Sequence, residues 1–151
     1  MRIGVISDTH GLLRPQALAA LEGSELILHA GDIGAPEVLA ALAAIAPVAA
    51  VRGNNDTAPW AEALPETRVV EAGGLRFYLL HDLKTLALDP LAAGLDAVVS
   101  GHSHQPLAEQ RQGLLYLNPG SAGPRRFRLP ITLARLRLAE GRIDTELLHL
   151  D

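Results

Sequence analysis

Residues 2–10 read Arg2-Ile3-Gly4-Val5-Ile6-Ser7-Asp8-Thr9-His10. A short apolar run with β-branched residues closes on an acid, a hydroxyl and an imidazole. The run has the composition of a buried strand, and the polar triplet stands where that strand stops. The pattern returns further on. Residues 25–29 form a short apolar strand before Gly31-Asp32, and residues 48–51 lead to Gly53-Asn54-Asn55-Asp56. Residues 75–80 lead to His81, and residues 96–99 to Gly101-His102-Ser103-His104. Hard metal-ligand side chains thus follow five predicted strands, and a parallel sheet gathers such strand ends along one edge.

The segments between these runs support that arrangement. Residues 15–21 read as a helix, with Pro15 in its first turn and Leu18 and Leu21 on one face. Residues 36–46 read as a second helix, with Val38, Leu39, Leu42 and Ile45 at helical spacing. Strand–helix alternation implies parallel strands joined by right-handed crossovers. The second half changes character. Residues 68–71 and 75–80 read as a hairpin turning at Gly73-Gly74. Residues 83–93 read as a helix interrupted by Pro90. Residues 114–117 form a short strand before Asn118-Pro119-Gly120-Ser121, and residues 131–138 and 142–150 a terminal antiparallel hairpin around Gly141. The expectation is one domain over residues 1–151, α/β in class, parallel first and more antiparallel later.

Composition narrows the function classes. Apolar residues make up 48% and charged residues 20%, a globular balance. Aromatics are only 3%, so Ala, Leu, Val and Ile must build the core. There is no cysteine, which excludes disulfides and thiolate metal sites. Ligands must come from His, Asp, Asn and backbone oxygens. No signal peptide or membrane-spanning stretch is read, and a cytoplasmic location is expected. The net charge of −4 argues against gripping extended nucleic acid. Arg125, Arg126 and Arg128 form the one basic cluster, a solvated turn in its plain reading and a phosphate contact in the other.

Each motif alone is weak. Asp8 and His10, two apart in an extended segment, point to the same side and can share a cation. An Asp at a strand end also caps turns. Asp32 gains meaning from its register with Asp8. Two carboxylates at neighbouring strand ends repel unless positive charge lies between them. Asn54 offers a neutral carbonyl oxygen in what is otherwise turn chemistry. His102 and His104 repeat the same-side spacing. His29 and His149 fall outside the pattern and are assigned to packing or surface. A two-metal site of this kind neutralises phosphate oxygens, acidifies a bridging water to hydroxide, and stabilises the leaving oxygen of an in-line displacement.

The ordered set Asp-x-His, Gly-Asp, Gly-Asn-x-Asp, His, Gly-His-x-His, from Asp8 to His104, resembles the calcineurin-like metallophosphoesterase superfamily. Asn118-Pro119-Gly120-Ser121 is similar to a further motif of its small single-domain branch, the YfcE-type phosphodiesterases. The resemblance implies two β-sheets packed as a sandwich and flanked by helices, a four-layer αββα fold. It implies two divalent ions, Mn²⁺ first, with Fe²⁺, Zn²⁺, Ni²⁺ or Mg²⁺ as alternatives. One ion would take Asp8, His10, Asp32 and His104. The other would take Asp32, Asn54, His81 and His102, with Asp32 bridging. These seven residues are also the expected catalytic set. Arg52 and Asp56 would brace the Asn54 loop.

Two departures matter. Many relatives carry His directly after the metal-binding Asn, where it protonates the leaving group. Here that residue is Asn55, which is no general acid at neutral pH. Relatives often continue the lone His as His-Gly-His, whereas this chain has His81-Asp82-Leu83. Either a wall of the pocket differs or Asp82 fixes the His81 ring. The implied function is a metal-dependent phosphodiesterase acting on a small phosphate ester. The alternatives are a nucleotide phosphomonoesterase and a non-catalytic interaction scaffold of the same fold, as in the retromer subunit. The small branch also suggests a homo-oligomer.

Overall fold

In β1 (Arg2–Ile6), Ile3 and Val5 face one side of the sheet while Ile6 faces the other, and both sides are buried. This is what a parallel central strand requires. The computed structural model describes residues 1–151. β1 pairs in parallel with β2 (Leu26–His29), and β2 with β3 (Val48–Ala50). The crossovers are α1 (Pro15–Leu21) and α2 (Pro36–Ala43), each with proline in its first turn. The terminal strands β9 (Thr132–Ala139) and β10 (Arg142–His149) form the expected hairpin. β9 lies antiparallel to β1, giving the order β10-β9-β1-β2-β3.

The second sheet holds β4 (Thr67–Ala72), β5 (Leu75–Leu80), β6 (Ala97–Val99), β7 (Leu107–Arg111) and β8 (Leu114–Asn118). Its order is β4-β5-β6-β8-β7. β5, β6 and β8 are parallel, and only the edge strands β4 and β7 are antiparallel. Both halves of the chain therefore supply a parallel centre. The C-terminal ends of β1, β2, β3, β5, β6 and β8 each carry one motif.

The two sheets face each other across Ile3, Val5, Leu28, Ala134 and Leu136 from one and Phe77, Leu79, Val99, Leu115 and Leu117 from the other. Full burial of one such large side chain contributes about 1.5–3 kcal/mol. On the outer face of the first sheet, Ala17 and Leu21 of α1 and Val38 and Leu42 of α2 pack on Ile6, Ile27 and Leu133. The outer face of the second sheet is covered differently. Leu83, Leu86 and Leu88 pack there against Leu80, Val98 and Leu114 from a mostly non-helical segment. The sandwich is as expected, with its α-helices on one outer face.

Three local expectations are corrected. The helix expected over 83–93 is one 3₁₀ turn, Leu83–Thr85. The Asp82 side chain accepts from Lys84 N, and Asp89 from Leu91 N. Such side-chain bonds compete with helix, and Pro90 breaks what remains. α2 ends at Ala43 rather than 46, because Pro47 disfavours helix in the residue before it. β7 is an additional strand beyond the sequence expectation. It is an exposed edge strand, without the apolar pattern that reveals a buried one.

Candidate metal centre

The five residues Asp8, His10, Asp32, His102 and His104 all have left-handed backbone, with φ of 55°, 46°, 55°, 69° and 63°. For non-glycine residues this costs roughly 1–2 kcal/mol each. Such strain persists where surrounding contacts enforce it, as at functional sites. Neighbouring glycines allow the loops to close. A Cβ on Gly53 would collide with Asp32, and one on Gly101 with Ser7 and Asp8. The loops after β1, β2, β3 and β6 therefore meet at near-contact distance.

Two groups of donors result. Asp8, His10 and His104 offer ligand atoms within 4.8 Å of one another, and so do Asp32, His81 and His102. His104 Nε2 is 3.3 Å from Asp8 Oδ1. The Asp32 carboxylate touches both groups: its Oδ2 is 3.8 Å from His10 Nε2 and 3.1 Å from His81 Nε2. Asp8, Asp32, His81 and His104 are buried, whereas His102 stands at the solvent edge with its side chain 44% exposed.

Residues outside the donor set hold it in place. Gly31 N donates to Nδ1 of buried His29, so His29 Nε2 carries the proton and donates to Thr9 Oγ1. Thr9 Oγ1 in turn donates to the Ile33 carbonyl. This relay links the first two loops. Asp56 accepts from the backbone N–H groups of Ile33, Gly34 and Gly53 and so links the second loop to the third. Asn118 donates to the Gly101 carbonyl and Ser103 Oγ, while Ser121 Oγ donates to the Asp8 carbonyl. The Asn118–Ser121 motif thus joins the first loop to the last.

Several buried atoms here lack a hydrogen bond: Asp8 Oδ1, His10 Nε2, His81 Nε2 and His104 Nδ1. Each such atom costs about 1–3 kcal/mol unless something satisfies it. His81 Nδ1 donates to the Ala30 carbonyl at 2.8 Å, which turns the lone pair of neutral Nε2 toward the two carboxylates. Metal-bound histidines show this same backing. With the ring proton at Nδ1, His81 Nε2 and Asp32 Oδ2 are two acceptors 3.1 Å apart, a contact that calls for a cation between them.

The titration behaviour also calls for positive charge. Burial alone would raise the Asp32 pKa. His81 and the Asn55 N–H outweigh it and leave the pKa at about 2. For Asp8, burial is likewise outweighed by His104, His81 and Ser7, and its pKa is lowered. Burial alone would lower the His81 pKa, but Asp32 and Asp8 raise it. Imidazole and carboxylate donors with lone pairs turned inward suit first-row divalent ions.

The sequence profile of the calcineurin-like phosphoesterase superfamily domain matches residues 1–141. This chain belongs to the calcineurin-like phosphoesterase superfamily. A probable metallophosphoesterase of Methanothermobacter thermautotrophicus is 38% identical over 99% of this chain and 92% of its own. The phosphodiesterase YfcE of Escherichia coli K12 is 32% identical over 80% of this chain and 79% of its own, in line with the small branch named by the motifs. A structure of Vps29 complexed with Zn²⁺ from Entamoeba histolytica shares the fold. Its TM-score is 0.76 at 24% identity, over 100% of both chains.

Within this superfamily fold, six of the seven expected ligands meet in the two groups described. Asn54 is exposed and has no hydrogen bond to any of them. Its neighbour Asn55 contacts the cluster instead, donating to both Asp32 oxygens, at 2.9 Å from N and 3.1 Å from Nδ2. The same-side reading of the His pairs needs correction. Asp8 and His10 do converge, but through left-handed turns rather than an extended strand. His102 and His104 separate, one into each group. Asp82 does not fix His81. It lies 3.8 Å from His102 Nε2, while the Ala30 carbonyl orients His81. Asp56 braces the loops as expected, and Arg52 pairs with Glu66. His29 is buried, one of the two locations expected for it, but it also holds the loops through Thr9, a role beyond the sequence expectation. The available signal was its place three residues before Asp32.

Beside His102 opens a cavity of about 530 Å³, lined among others by Lys84, Ser103, Gln105 and Tyr116. A second cavity, of about 400 Å³, lies away from the motifs near the end of α1. There Arg2, Arg135 and Arg137 face Glu22, Asp144 and Glu146, so its charges balance.

Proposed function

We infer that this chain is a metal-dependent phosphodiesterase with a dinuclear centre, and that Mn²⁺ is the first ion to try. The observation that carries the reading is the reach of Asp32 Oδ2 to a histidine of each donor group. That position suits a bridging carboxylate. Asp8, His10 and His104 would hold one ion, and His81 and His102 the other, with Asp32 between them. Asn54 would complete the second set after a turn of its side chain. The chemistry that such ions supply is neutralisation of phosphoryl oxygens, acidification of water to hydroxide and stabilisation of the leaving oxygen.

The chain's own groups do the rest. Asn55 holds the Asp32 carboxylate from two donors and supplies no proton. His102 is the one exposed imidazole of the set and borders the cavity that opens to solvent. Asp82 lies 3.8 Å from its Nε2 and sets a carboxylate beside it at the edge of that cavity. Without a histidine at position 55, the leaving oxygen takes its proton from water, and esters with acidic leaving groups react fastest. One small molecule at a time fits an opening of this size.

The scaffold reading draws on the Vps29 likeness, a likeness of fold alone. That structure is complexed with Zn²⁺, so metal binding by itself does not separate scaffold from enzyme. Turnover does. Chelator-stripped protein is assayed with bis(p-nitrophenyl) phosphate, with and without Mn²⁺. Metal-dependent hydrolysis supports the enzyme. Folded, metal-loaded protein that turns over neither diesters nor monoesters would favour the scaffold.

A further inference from the structure

The metal centre leaves unused the one basic cluster of the chain, Arg125-Arg126-Phe127-Arg128. Its base is fixed to the first metal loop. Ala122 N donates to the Ser7 carbonyl, Ser121 Oγ to the Asp8 carbonyl, and Arg14 Nη2 to the Gly123 carbonyl. A Cβ at Gly123 would collide with the carbonyls of Asp8 and Thr9. The loop therefore leaves the site from direct contact with the strand end that bears Asp8.

Its tip is unusual for this chain. Phe127 is 86% exposed, the most exposed of the large apolar side chains, in a protein with only two phenylalanines. Its φ is 54°, a left-handed conformation that no following glycine relieves. Arg125 is committed to Asp151 and the Leu129 carbonyl. Arg126 and Arg128 have no ion-pair partner, although acids outnumber bases in the chain. The cavity beside Phe127 and Arg128 shares Gln105 with the cavity beside His102. The two openings therefore adjoin at Gln105, with His102 lining one and Phe127 and Arg128 lining the other.

We propose that this loop binds the substrate beyond the reacting phosphate, and that the substrate is a short single-stranded oligonucleotide. The base stacks on Phe127, Arg126 and Arg128 take the flanking phosphate, and the next phosphodiester lies at the metal centre. Stacking on an exposed ring combined with charge-assisted phosphate contacts is how single strands are held without sequence readout. The net charge of −4, and the acids that face the Arg2, Arg135 and Arg137 group, restrict the length to a few nucleotides. The assignment rests on the phosphodiesterase reading above.

The test uses the full chain loaded with Mn²⁺ and three proteins: wild type, Phe127→Ala, and Arg126→Ser combined with Arg128→Ser. Two kinetic substrates are compared, bis(p-nitrophenyl) phosphate and trithymidylate. Direct binding is read by anisotropy of a fluorescent trithymidylate phosphorothioate. Phe127→Ala is expected to raise the trinucleotide KM and Kd about tenfold, with chromogenic kinetics changed by less than about twofold. The double arginine variant is expected to weaken binding and flatten its salt dependence. Phe127→Tyr keeps the ring and should bind as wild type does. Trinucleotide Kd unchanged across the variants, in protein that cleaves the chromogenic diester, overturns the proposal and leaves the phosphodiesterase standing. Loss of all hydrolysis with any divalent ion would sink the phosphodiesterase reading, and the anisotropy still decides the loop. Phe127-dependent binding to phosphatidylglycerol vesicles, or Phe127-dependent dimerisation in sedimentation, without trinucleotide binding also overturns it.

Discussion

His81 Nδ1 donates to the Ala30 carbonyl at 2.8 Å, while His81 Nε2 stands 3.1 Å from Asp32 Oδ2. The backbone bond fixes the ring, and the fixed ring turns a lone pair toward a carboxylate. Two acceptors face each other unless a cation lies between them. A proton serves at low metal concentration, which is why the His81 pKa is raised when the protein is free of metal. Metal binding should therefore release protons.

Asp32→Ala removes the carboxylate that both donor groups reach. It is expected to abolish loading of a metal pair and with it turnover, while the fold survives because Asp32 caps no helix and packs no core. Titration calorimetry with Mn²⁺, alongside circular dichroism, checks this. Two ions bound with unchanged stoichiometry in the variant would remove Asp32 from the bridging position.

Asn55 offers a sharper test because two effects oppose each other. Its N–H and side-chain amide both hold Asp32. Asn55→His loses the amide bond but introduces a proton donor. Metal affinity is expected to fall about 10-fold, in the range seen for groups that brace ligands. Turnover of esters with poor leaving groups should rise by about 10²-fold, the low end of general acid catalysis. Esters of p-nitrophenol, whose leaving group needs no proton, should show little gain. An equal gain on both ester types would show that position 55 does not act on the leaving group.

Much of this donor cluster is legible in the sequence because its side chains follow apolar runs. Once residues 2–51 alternate strand, helix and strand, the ends of β1, β2 and β3 must share an edge, and Asp8 and Asp32 follow. How the ligands divide was not readable from spacing. Residues two apart separate or converge according to φ, and left-handed turns at His102 and His104 send the rings into different groups. The braces were hidden for a related reason. Asn118 and Ser121 act through backbone carbonyls of loops far away in sequence, and a carbonyl leaves no mark on composition. The segment 83–93 misled because its Leu and Ala content favours helix, whereas Asp82, Asp89 and Pro90 decide locally against it.

Asn118→Ala would untie the last ligand loop from β8. The Gly101 carbonyl and Ser103 Oγ lose a donor, at a cost of about 1–3 kcal/mol in stability. His102 and His104 sit on that loop, so affinity for metal should drop at both sites, by about 10–100-fold. Urea unfolding and metal titration measure the two effects separately. A stability loss with unchanged metal affinity would confine Asn118 to a packing role.

His29 sets an acid limit on stability. It is fully buried, and burial lowers its pKa from 6.5 to about 4. Because the folded value is the lower one, the unfolded chain takes up the proton first. The neutral ring's contribution is complete above pH 6.5 and is lost as pH falls toward 4. The full loss is roughly 3 kcal/mol. The neighbouring groups act in other windows. The lowered Asp32 pKa gives stability that is lost only as pH falls from 3.8 through about 2. The raised His81 pKa gives stability present below 6.5 and lost as pH rises through the folded value. Chelator-stripped protein is therefore expected to lose stability steadily from pH 6.5 down to 4, with the slope governed by His29. Urea midpoints across that range check it, and His29→Asn, which cannot titrate, should flatten the slope while costing stability at neutral pH through the broken Thr9 relay. A variant with the wild-type slope would show that another group takes up the proton.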